Sequence, residues 1–85
     1  MEYWQVSLTA TAEKRIAKIP QPEKRRILTA IARLHEGLVG DIRPMKGSDD
    51  FRLRLGGWRI ILSVDIPSRF ILVRYVDVRG DVYKH

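Results

Sequence analysis

A run of alternating apolar and basic residues ending in two glycines, Phe51-Arg-Leu-Arg-Leu-Gly-Gly-Trp-Arg59, constrains this chain more than any other stretch. Alternation is the period of a strand with one buried face, and Gly56-Gly57 is a two-residue hairpin turn that accepts positive φ. A turn of that length sets the register by counting outward. Leu55 then faces Trp58, Arg54 faces Arg59, Leu53 faces Ile60, Arg52 faces Ile61 and Phe51 faces Leu62. Successive side chains point to opposite faces, so Phe51, Leu53, Leu55, Trp58, Ile60 and Leu62 share the core side. Arg52, Arg54 and Arg59 share the other side, with two arginines directly opposed. Like charges in that position destabilise a sheet, which points to an anionic ligand. The competing reading is a solvated face whose charge discourages edge-to-edge aggregation.

The rest of the composition narrows the classes. With 85 residues the chain is expected to form one domain, 1–85, with core enough to fold and little to spare. It has no cysteine, so neither a disulfide framework nor a thiolate metal site is available. His35 and His85 are the only imidazoles and there is no acidic cluster, so no metal or other cofactor is expected. No apolar run approaches membrane-spanning length, and Met-Glu-Tyr-Trp does not open a signal peptide, so the expected compartment is the cytosol. A formal charge of +6 favours a polyanionic partner such as nucleic acid, a ribosome or an acidic protein segment. Charge alone does not choose among these, and it also serves solubility.

Residues 3–7 alternate weakly and read as a first strand. Thr9 or Thr11 caps the following helix, whose stripe is Ala12, Ile16 and Ile19. Pro20-Gln21-Pro22 ends that helix and starts a second, with Pro22 as its first residue. Ile27, Leu28, Ile31 and Leu34 give the second helix a wide apolar face, while Lys24, Arg25, Arg26 and Arg33 look outward. Gly37 supplies the stop, and His35 near the helix end complements the dipole. Residues 38–50 read as a loop, in which Lys46 enters the sheet on the side of Arg52 if the loop is compact. Strands follow at 51–55, 58–65 and 69–77, the last with a register that the sequence leaves open, and then a tail. The expected class is α+β: a small antiparallel sheet with an N-terminal strand and a two-helix α-hairpin packed on one face, in the order β-α-α-β-β-β.

This order resembles the RelE/ParE family of type II toxin–antitoxin toxins across essentially the whole chain. The specific parts are Lys46-Gly47, the 51–55 strand, Gly57-Trp-Arg-Ile-Ile61 and Val76-Asp-Val-Arg-Gly-Asp-Val-Tyr83. The RelE branch of the family cleaves messenger RNA in the ribosomal decoding site without a metal. Attack of a 2′-hydroxyl on its neighbouring phosphate needs a base, stabilisation of charge on the phosphorane and protonation of the leaving 5′-oxygen. Clustered arginines can supply the positive charge, gripping phosphate with planar forks.

The resemblance implies that Arg59 binds the scissile phosphate and that Arg79 protonates or stabilises the leaving group. It implies that Tyr83 positions or activates the nucleotide. Arg52 and Arg54 fall where the best-known branch has two lysines, one proposed as general base, and Lys46 falls on a basic position ahead of that strand. Two departures bear on the chemistry. Arg54 is a poor base, since an arginine pKa stays above about 12. Many relatives also carry Gly-His-Arg before the tail, where this chain has Asp77-Val78-Arg79. His85 has a suitable intrinsic pKa and some relatives use a terminal histidine; a terminal residue with no role is the competing reading.

The resemblance leads to a ribosome-dependent endoribonuclease, with the bacterial ribosome, messenger RNA and a cognate antitoxin as partners. The alternative within the family is a ParE-like protein that inhibits DNA gyrase by binding, without catalysis. An inactive relative that keeps only antitoxin binding is the third reading. An acidic, partly disordered antitoxin suits the exposed positive surface, because such a segment wraps a broad area.

Overall fold

The computed structural model describes residues 3–78. The chain runs β1 (Gln5–Leu8), α1 (Ala10–Ala17), α2 (Glu23–Arg33), a 3₁₀ turn (Leu34–Glu36), β2 (Asp41–Pro44), β3 (Phe51–Leu55), β4 (Trp58–Asp65) and β5 (Phe70–Val78). The strands form one sheet in the order β1-β5-β4-β3-β2. The α+β class with a helix pair on one face is as expected, with two corrections. The sheet is mixed, because β1 pairs parallel to β5 while all other neighbours are antiparallel. Residues 38–50 also contain a strand, β2, paired with β3. Its four residues end in Pro44, which an edge strand tolerates because its outer groups need no partner. Gly40 and Gly47 on either side hide so short a period in the sequence.

The β3–β4 hairpin has the register counted from its glycines, Leu55 to Trp58 through Phe51 to Leu62. Leu53, Ile60 and Leu62 are buried with Ile71, Val73 and Val76 of β5 beneath the helices, with Phe51, Leu55 and Trp58 packed against them. This cluster thus lies on the helix side of the sheet.

Thr9 is the cap of α1. Its Oγ1 accepts from the Ala12 amide at 3.0 Å and donates to the Arg74 carbonyl at 2.6 Å, so one hydroxyl starts the helix and ties it to β5. Ala12, Ile16 and Ile19 are buried as the spacing predicts. On α2 the stripe is narrower than the sequence implies. Ile27, Ile31 and Leu34 are buried at i, i+4 and i+7, but Leu28, one position off that line, is 44% exposed. Pro22 precedes the helix as its cap residue rather than beginning it.

His35 does more than complement a dipole. Its Nδ1 donates to the Trp4 carbonyl at 2.9 Å, the Trp4 amide donates to the His35 carbonyl at 2.9 Å, and the Tyr3 ring stacks on the imidazole. Gly37, at φ 119°, lies under the Trp4 indole, where a Cβ would come within 3.3 Å of Nε1. Among the described residues no helix is long and apolar enough to cross a membrane.

β5 carries a break in phase. Ile61 pairs with Tyr75 but Leu62 pairs with Val73, leaving Arg74 as an extra residue. Core residues therefore fall at 71, 73 and 76, not at strict alternate positions. A bulge of this kind turns side chains on one side of it to the other face.

Candidate functional site

The face of the sheet away from the helices carries the candidate residues in cross-strand rows. One row runs Asp41 (β2), Arg54 (β3), Arg59 (β4), Asp77 (β5). The two arginines oppose each other as the hairpin count predicts. Each also has a carboxylate on its outer side: Arg54 Nε lies 3.9 Å from Asp41 Oδ2, and Arg59 Nη2 lies 3.7 Å from Asp77 Oδ2. The repulsion expected of opposed arginines is thus relieved within the fold by alternating sign along the row. Such half-exposed pairs contribute only about 0–1 kcal/mol each, so the row is compensated without being a strong brace.

The adjoining row runs Arg43, Arg52, Ile61, Tyr75. Here arginines of two neighbouring strands are directly paired, with no aspartate at the row's end. Arg43 reaches sideways to Asp41 at 3.3 Å. Arg52 Nε is buried without a hydrogen-bond partner, an uncommon state for a donor. Ile61 is 3% exposed although it lies outside the helix-covered core, and Tyr75 beside it is 42% exposed. Beyond these rows, Asp50 accepts from Ser63 at 3.1 Å and from Arg74 at 3.2 Å. Arg74 is therefore ion-paired.

Across the two rows four arginines stand against two aspartates, so the face stays cationic. Arg52, Arg54 and Arg59 are brought together. Lys46 is exposed in the turn that joins β2 to β3, at the end of β3 away from Arg54. Arg79, Tyr83 and His85 lie outside the described residues. Val78 pairs with Trp58, so β5 ends beside the strand that carries Arg59.

The sequence reading missed Asp41, Asp77, Arg43 and Tyr75 as members of this face. Only the register of β2 and the bulge in β5 reveal them. Trp58, by contrast, is on the core side, where its Nε1 donates to Glu23 at 3.0 Å and Arg15 lies over its ring at 5.8 Å. A shallow cleft of about 310 Å³ beside α2 is lined by Arg25, Arg26, Thr29, Ala30, Arg33 and Leu55.

No family sequence model matches the chain, and no curated protein sequence matches it. Solved structures do. A chain of the archaeal RelE–RelB complex from Pyrococcus horikoshii is 26% identical, with 92% of this chain and 97% of that one covered and a TM-score of 0.81. A chain of the RelB–RelE antitoxin–toxin complex from Methanococcus jannaschii is 26% identical over 89% and 93%, with a TM-score of 0.71. The isolated RelE toxin of E. coli is 18% identical over 95% and 90%, with a TM-score of 0.72, a likeness of fold alone.

Proposed function

We propose that this chain, whose fold matches that of the RelE toxins over nine-tenths of its length, is the toxin of a toxin–antitoxin pair and cuts messenger RNA on the ribosome. The observation that carries the reading is the cluster of Arg52, Arg54 and Arg59 on the open face of that fold. Structures of relatives in complex with RelB support the antitoxin as partner.

In the proposed reaction the 2′-hydroxyl of one nucleotide loses its proton and its oxygen attacks the adjacent phosphorus. The bond from phosphorus to the 5′-oxygen then breaks, leaving a 2′,3′-cyclic phosphate and a 5′-hydroxyl. Arg59 holds the non-bridging oxygens and gains strength as the phosphorane develops its extra charge. Arg54 and Arg52 extend the positive field along the backbone on either side of it. Arg79 and Tyr83 keep the roles that the resemblance gives them, at the leaving oxygen and the nucleotide. Arg54 does not serve as base, because a guanidinium stays protonated.

The test uses purified protein with ribosomes programmed with a labelled message, and separately with gyrase and relaxed plasmid. Cleavage is expected on the ribosome, and Arg59→Ala is expected to lower its rate about 10²–10³-fold, as loss of one charge-stabilising donor does. Supercoiling inhibition with an intact message would replace this reading by the gyrase one.

A further inference from the structure

We infer that Asp77 is the general base that takes the 2′-hydroxyl proton. The assignment rests on the cleavage reading above and fills the role that no arginine of the cluster can take. A base must reach the nucleophile while the phosphate is held, and must be able to accept a proton at neutral pH. An ionised carboxylate accepts and cannot donate, the reverse of a guanidinium.

Three observations place Asp77 there. It is the strand partner of Arg59 and shares its face, with Oδ2 at 3.7 Å from Arg59 Nη2. A phosphate held on that guanidinium would bring the 2′-oxygen of the ribose attached through its 3′-oxygen to the side of Oδ2. The carboxylate is also oriented: the Val78 amide donates to Oδ1 at 2.8 Å, which leaves Oδ2 as the oxygen turned to Arg59. Finally, the side chain is 46% exposed, so substrate can reach it.

The other carboxylates of the face among the described residues are worse placed. Asp50 is held by Ser63 and Arg74, and Asp41 meets Arg43 and Arg54 on the edge strand, at the far end of the row from Arg59. Among the described residues, the charged groups that face Asp77 are Arg59 on β4 and, beyond it, Arg54 on β3. Arg15 of α1 reaches the Val76 carbonyl from the helical side.

The step balances. Oδ2 takes the proton as the O2′–P bond forms, the P–O5′ bond breaks, and the departing oxygen is protonated from solvent. Asp77 becomes neutral while the phosphorane gains its negative charge, so the charge facing Arg59 moves to the phosphate and does not grow.

The experiment is single-turnover cleavage of a labelled message on saturating ribosomes at neutral pH, with ribosome affinity measured separately by co-sedimentation. Asp77→Asn, which keeps size and the Val78 hydrogen bond, is expected to cut the rate ~100-fold or more. Ribosome affinity should stay within about threefold, and Asp77→Glu, which keeps a carboxylate, should restore part of the rate. Asp41→Asn is expected to lose far less of the rate than Asp77→Asn. If Asp77 only restrains Arg59, Asp77→Asn cleaves as fast as wild type or faster, which overturns the assignment and leaves the nuclease reading standing. Failure of the wild-type protein to cleave at all would overturn both.

Discussion

At the scale of single residues, Arg54 and Arg59 are the pair that the sequence places with most force, because two glycines leave one way to count. Their partners were invisible for a physical reason. Asp41 and Asp77 reach the arginines only through the registers of β2 and β5, and neither follows from a two-residue turn. Trp58 shows the converse. Alternation puts it on the core side, but not its hydrogen bond to Glu23 across 35 positions of sequence. That bond joins β4 to α2, and Arg26 sits beside the same carboxylate at 3.5 Å. Trp58→Phe keeps the apolar bulk and loses the donor. It is expected to lower unfolding free energy by about 1–2 kcal/mol, the scale of a hydrogen bond to a charged group. Urea denaturation followed by circular dichroism would measure this, with an unchanged midpoint counting against a bracing role for the indole.

Elements were legible wherever a period ran long enough to be read. The two helices and the β3–β4 hairpin each present several turns or pairs of one pattern. β2 has four residues and a proline, too few for a pattern. β5 is long, yet the extra residue at Arg74 resets its phase, so Ile71 and Val73 face the core with Val76 while Tyr75 remains on the open side. A strict alternation read backwards from Val76 would have put Arg74 inward and Val73 outward. The bulge also presents the Arg74 carbonyl to Thr9, so the start of α1 depends on it. Thr9→Ala removes the cap and this link together, with an expected cost of about 1–2 kcal/mol. Thr9→Ser, which keeps the hydroxyl, should recover most of it. Equal destabilisation by both would show that the threonine methyl, not its oxygen, holds the helix to the strand.

For the whole molecule, excess positive charge has opposite effects on stability and on binding. A formal charge of +6 repels itself in the compact state and attracts a phosphate backbone, and salt screens both. Raising salt should therefore leave the folded state equally or slightly more stable while RNA binding weakens. The slope of that weakening reports how many cations meet phosphates. If the four arginines of the two open-face rows each neutralise one phosphate of a single strand, log K against log salt should fall with a slope of about −3, at roughly −0.7 per contact. Removing two of them in Arg52→Gln/Arg54→Gln should lower the slope by about 1.4, whereas Arg25→Gln/Arg33→Gln on the outward side of α2 should leave it unchanged. Titration of a fluorescent single-stranded oligonucleotide at four salt concentrations separates the cases. A slope that responds to the helix pair and not to the strand pair would move the nucleic-acid interface to the opposite side of the molecule, and would take Arg59 and Asp77 out of reach of any bound phosphate.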